Sequence, residues 1–119
     1  MANISATLTD TKGPGFAYTW TPITENDTVV AQLVEPGTYL LSVEGTFGSG
    51  SIEIKAAILN TAHKSIPHPD GSATVTFDAA TDTMIEITFG KCYVLPVRTG
   101  GSSMSLSVFL YPITRERGR

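Results

Sequence analysis

The chain has 119 residues, a net charge of −3, a single cysteine and only 16% charged side chains. A chain of this length makes one domain, able to bury roughly 65% of its unfolded surface without staples. The acidic balance argues against a nucleic-acid footprint, one cysteine excludes an intrachain disulfide, and no apolar run nears the ~18 residues of a membrane-spanning helix. Charged residues fall below the roughly 25% of ordinary soluble domains. Their place is taken by 17 Thr and 10 Ser. Threonine suits a half-exposed strand, and a charge-poor exterior is cheap to desolvate against a neighbour. No charged-plus-apolar leader occurs, so secretion by signal peptide is not expected. The sequons at Asn3 and Asn26 then read as coincidences.

In chain order, residues 1–15 read as an N-terminal arm or edge strand, with Ile4, Ala6 and Leu8 alternating before a joint at Gly13-Pro14-Gly15. Phe16, Tyr18 and Trp20 share one face of the next strand, which Pro22 is expected to end. Strands are predicted over 29–34 and 38–44, separated by a Glu35-Pro36-Gly37 turn. A Gly/Ser turn over 45–50 leads to a strand over 51–59. Residues 60–72 read as irregular. Short strands are then expected over 73–77, 83–89, 92–97 and 104–111. Turn signals every eight to twelve residues predict an all-β, antiparallel β-sandwich, jelly-roll-like, with eight or so strands. The sandwich would occupy 16–112, followed by a basic tail over 113–119.

One pattern recurs. Tyr39, Leu41, Val43, Ile52 and Ile54 match Tyr93, Leu95, Val97, Leu106 and Val108 at a constant offset of 54. Each set straddles a glycine-rich turn, so each reads as a strand, a turn and a strand with period two. Two similar hairpins are expected. The predicted core comprises Tyr39, Leu41, Val43, Ile52, Ile54, Ile85, Ile87, Leu106 and Val108.

Chemistry-bearing constellations are few. His63 and His68, with Asp70, lie on a loop broken by Pro67 and Pro69, a poor frame for converging metal ligands. No Gly-x-Ser-x-Gly elbow occurs, and 45–50 lacks the Lys-Ser/Thr ending of a phosphate loop. Glu53 and Glu86 are the pair weighed for glycoside hydrolysis, and strand carboxylates of this kind usually face solvent. Cys92 reads as a small buried hydrophobe. The expectation is therefore no catalytic residue, no metal and no cofactor. Candidate contact residues are the aromatics Phe16, Tyr18 and Trp20, common anchors at interfaces and on carbohydrate platforms, and the tail residues Arg115, Arg117 and Arg119.

The run Thr21-Pro22-Ile23-Thr24, then Pro36-Gly37-Thr38-Tyr39, Val43-x-Gly45-Thr46-Phe47-Gly48 and Ser51-Ile52-Glu53-Ile54 resembles small structural proteins of tailed phages. Tyr93, Val97, Gly100-Gly101 and Ser105-Leu106-Ser107-Val108 fit the same style. These are head decoration, or cement, proteins with a β-sandwich or jelly-roll fold. The resemblance covers roughly residues 20–110 and leaves the loop over 61–69 and the basic tail unmatched. It implies a non-enzymatic virion protein on the outer capsid surface, made in the host cytoplasm. Its partner would be the major capsid protein, and it would form a homo-oligomer, a dimer or trimer, without binding nucleic acid or membrane. Both chain ends fall outside the two repeated hairpins, so by position, independently of the resemblance, they are expected to act as arms that are not needed to close the sandwich. The alternative is a carbohydrate- or receptor-binding module of a phage tail fibre or tail spike.

Overall fold

A computed structural model describes residues 3–10, 15–59, 61, 63–66, 74–79 and 84–113. Twelve strands and no helix occur among them. They are β1 (Asn3–Ile4), β2 (Thr7–Asp10), β3 (Phe16–Ile23), β4 (Thr28–Val29), β5 (Gln32–Val34) and β6 (Gly37–Thr46). Then follow β7 (Ser51–Ala57), β8 (Lys64–Ser65), β9 (Thr76–Phe77), β10 (Ile85–Phe89), β11 (Cys92–Thr99) and β12 (Ser105–Pro112). Sheet one runs β10-β6-β12-β3-β2, and sheet two runs β5-β11-β7-β8 with β9 also paired to β7.

Eight of these strands make the roll. Numbered one to eight along the chain, β3, β5, β6, β7, β9, β10, β11 and β12 pair as 1-8-3-6 in one sheet and 2-7-4-5 in the other. All those pairings are antiparallel. That order, with successive strands mostly changing sheet, defines a jelly roll of two interlocked Greek keys. The parallel pair β1–β4 closes one flank.

Alternation within β6, β7 and β12 buries Tyr39, Leu41, Val43, Ile52, Ile54, Leu106, Val108 and Leu110 between the sheets. Of the core expected from sequence, only Ile87 is half-exposed, packing on the core's margin. Trp20, Tyr18, Ile23, Val34, Phe47, Val75, Phe77, Phe89, Val94 and Met104 join them in the interior.

The two predicted hairpins are corrected to arches. β6 and β7 do not pair with each other. β6 pairs with β12 and β7 with β11, so each glycine-rich connection crosses from one sheet to the other. The two arches interlock at one end of the sandwich, where the Ser102 N–H donates to the Gly48 carbonyl at 2.9 Å. The Glu25 carboxylate, on the β3–β4 loop, accepts from the backbone N–H groups of Met104 (2.8 Å) and Ser103 (3.1 Å). Hydrogen bonds from its own and these two backbone N–H groups hold that carboxyl below its ordinary range.

A second correction concerns β11. Its buried residues are Val94 and Pro96, so Tyr93, Leu95 and Val97 lie half-buried on the opposite, outer face. The offset of 54 therefore equates inner residues of β6 with outer residues of β11. A register shift of one residue moves every side chain to the other face. Pro96 sits beyond the last β5 pair, where β11 keeps one neighbouring strand and tolerates a missing donor.

Pro22 does not end β3. The register with β12 slips there, Thr21 and Pro22 together facing Ser107, and a bulge accommodates proline. The strand expected over 29–34 is split. The Val30 carbonyl accepts the Trp20 indole N–H at 2.8 Å, and the Val30 N–H donates to the Ile4 carbonyl at 2.9 Å. These two bonds occupy the backbone of Val30 and separate β4 from β5. Residues 60–72, expected to be irregular, include β8.

The N-terminal segment is part of the body. β2 pairs with β3 as an edge strand, while Ile4 and Ala6 pack on the core. Deleting residues 1–12 would strip these contacts, contrary to the expectation that this end is dispensable for closing the sandwich. The basic tail from Thr114 onward, with Arg115, Arg117 and Arg119, lies outside the described residues.

Near the other end of the roll, Tyr39 donates its hydroxyl to the Glu35 carbonyl at 2.7 Å, and the Glu35 N–H donates to the Tyr18 hydroxyl at 3.3 Å. The Tyr39 ring tilts against those of Tyr18 and Phe89 at 6.2 and 6.1 Å. Burial, with Tyr18 alongside, pushes the Tyr39 phenol up to about 12. A raised value favours the neutral form in the folded state. This contribution to stability is complete below the unfolded phenol's value near 10 and is lost as pH rises through about 12. An ultraviolet absorbance titration is expected to show the Tyr39 phenol ionising together with unfolding. Tyr39→Phe is expected to remove that phenol from the titration.

Candidate binding surfaces

The aromatic face of β3 is divided by its place in the sheet. Tyr18 and Trp20 point between the sheets and are buried, Trp20 completely. Neither can meet a partner without unfolding, which corrects their selection as contact residues. Phe16, at the strand's start and opposite Asp10 of the edge strand, stays 45% exposed.

The structure separates or encloses the other chemical candidates. Glu53 projects from the outer face of sheet two and Glu86 from the outer face of sheet one, with both layers between them. His63 is half-buried beside β8, and its Nε2 has no hydrogen-bond partner among the described residues. His68 and Asp70 lie outside the described residues. No three His, Cys, Asp or Glu side chains converge among the described residues. Along the glycine-rich turn, the space a Cβ would need at Gly48 is filled by the Ser102 carbonyl, so the turn holds its neighbouring arch instead of a ligand.

The outer faces carry exposed apolar side chains instead. On sheet one, Leu40, Ser42 and Glu44 of β6 lie beside Phe109 and Tyr111 of β12, with Met84 at the margin. Together they line an open groove of about 310 Å³. Pairing fixes this grouping: Leu40 faces Tyr111 on one side and Glu86 on the other, and Ser42 faces Phe109. Met84 is 60% exposed and Tyr111 50%. On sheet two, Leu33, Tyr93, Leu95 and Val97 form a half-buried stripe.

Beyond the end of β7, Ile58 and Leu59 project into solvent, 86% and 72% exposed. They flank a hollow of about 370 Å³ that Ala56, Ala57, Thr61, Lys64 and Cys92 also line. Burial raises the Cys92 thiol above its usual value. A raised value keeps the thiol protonated and slows its reactions; the side chain is half-buried at the core's margin, not buried as expected.

Hydroxyl pairs account for part of the threonine excess. Thr38 bonds Thr88 across β6 and β10 at 2.9 Å, Thr74 bonds Thr76 at 2.9 Å, and Thr21 bonds Ser107 across the β3 bulge. Such pairs satisfy each other on the outer faces without charges that a docking partner would have to desolvate.

Sequence reasoning had no means to find the groove or the Ile58–Leu59 projection. An apolar residue on a strand reads as core until its face is known. The run 56–59 showed only a strand continuing past Ala57. No family model, curated protein or solved structure matches the chain.

Proposed function

We propose that the chain is a structural virion protein that decorates and stabilises a tailed-phage capsid by bridging major capsid protein subunits from outside. The observation that carries this reading is the distribution of apolar side chains over the outer faces of both sheets, set among threonines and serines with few charges. Apolar side chains gathered on outer sheet faces, partly exposed at Met84 and Tyr111, are surface of the kind used for protein association. Each copy would contribute modest contacts, and many copies on one shell add through multivalency. A jelly roll serves many functions, so the reading rests on the surface and not on the fold. Phe16 and the tail residues Arg115, Arg117 and Arg119 are proposed to meet the shell, the arginines facing acidic capsid side chains.

Sedimentation with purified heads lacking tails tests it. Saturable co-sedimentation is expected, weakening as salt screens the arginine contacts, and weaker still when residues 114–119 are deleted. Failure to bind tail-less heads at any salt concentration, together with retention on host glycans, would transfer the chain to the receptor-binding class.

A further inference from the structure

We infer that the chain associates with itself head to tail, the Ile58–Leu59 projection of one copy entering the groove on sheet one of the next. The inference names the self-association partner within the reading above and rests on that reading for its purpose alone. Three observations carry it. First, the projection and the groove are both apolar and both reach solvent: Ile58 and Leu59 are exposed on one side, and on the other Met84 and Tyr111 are exposed beside the half-buried Leu40 and Phe109. Second, they differ in form and place. A protruding pair stands at the end of sheet two, and a recess of about 310 Å³, space for a branched aliphatic side chain, lies on the outer face of sheet one.

Third, their borders carry opposite charge. Lys64 lines the hollow beside Ile58 and Leu59. Glu44 lines the groove, and Glu86 stands next to Leu40 across the β10–β6 pair. A docked projection would bring Lys64 of one copy to the glutamates of the next. Opposite charges at the rim of an apolar contact fix its orientation more than its strength.

The contact is read as head to tail, one projection and one groove per junction. Repeated by a rotation that closes, it makes a ring of three or more copies, whereas in a two-fold dimer each copy would place its projection in the other's groove reciprocally. The lattice of a phage head offers such axes, and a ring presents several capsid-facing surfaces at once.

Leu59→Glu and Met84→Glu change exposed residues, so both variants are expected to keep the wild-type circular dichroism spectrum. Sedimentation equilibrium without capsids is expected to give a mass of three or more copies for the wild type. Each variant is expected to weaken association about thirty-fold or more, as loss of a central contact does, and to run as a monomer. Mixed in equal amounts, the two variants are expected to form a one-to-one dimer. Met84→Glu keeps an intact projection, and Leu59→Glu keeps an intact groove. A wild type that is monomeric or dimeric at high concentration, a variant that keeps the wild-type mass, or a mixture that stays monomeric would each overturn the inference. Should Met84→Glu misfold, Tyr111→Glu replaces it in the same mixture. A ring that forms but never binds heads would leave this inference standing and remove the capsid reading.

Discussion

Trp20→Ala is expected to cost about 3–5 kcal/mol, through lost transfer energy and the cavity left behind. The indole is wholly enclosed between the sheets on β3, which lies between β12 and the edge strand β2, and donates to the Val30 carbonyl at 2.8 Å. Removing it would also free that carbonyl and so loosen the point where β4 and β5 are held apart. A domain of this size has only about 5–15 kcal/mol in total, so the variant would sit near the edge of folding. Thermal denaturation followed by circular dichroism is expected to show a fall of about 12–20 °C. Phe16→Ala, on the same strand but half exposed, is expected to shift the midpoint far less. Equal shifts for the two would contradict the placement of Trp20 in the core.

Gly48→Ala is expected to destabilise by about 2–4 kcal/mol, combining left-handed strain, a displaced arch and the broken Ser102–Gly48 hydrogen bond. Gly48 has φ +57°, a region that costs an ordinary residue, and a Cβ there would collide with the Ser102 carbonyl. That carbonyl belongs to the opposite arch, so relief requires parting the two connections that lock the sheets. Gly90→Ala is the control, since nothing lies within 4 Å of a Cβ there and its backbone is not left-handed. Urea denaturation should separate the two, with Gly90→Ala close to wild type. A Gly48→Ala protein as stable as the control would mean the arches do not interlock as described.

These two sites divide the legible from the illegible. Gly48 was recognisable from sequence as a turn residue, because Gly45-Thr46-Phe47-Gly48-Ser49-Gly50 punctuates two alternating strands. What the turn joins was not recognisable. A hairpin and an arch both place period-two strands around a glycine-rich connection, and only the partners of β6 and β7 distinguish them. Trp20 was visible as an aromatic on a strand, but the same alternation suits a core face or an exposed platform. Its burial depends on sheet two covering β3.

The sequence by itself determined the fold class, the positions of most strands and the inner faces of β6, β7, β10 and β12, because polar residues such as Ser42, Glu53, Glu86, Ser105 and Ser107 alternate with apolar ones and mark the outer face. It could not determine the face of β11. Tyr93-Val94-Leu95-Pro96-Val97 is apolar at every position, so no periodicity marks an inside, and the register with β7 chose Val94 and Pro96. Tertiary structure alone also decided which apolar residues remained outside. Leu40, Phe109 and Tyr111 come together as a groove because β6 and β12 are neighbours across long stretches of chain. Ile58 and Leu59 stand free because β7 ends at Ala57. Alternation encodes a face from neighbours two residues apart, whereas a surface patch is assembled from strands whose adjacency is settled only when the two sheets close.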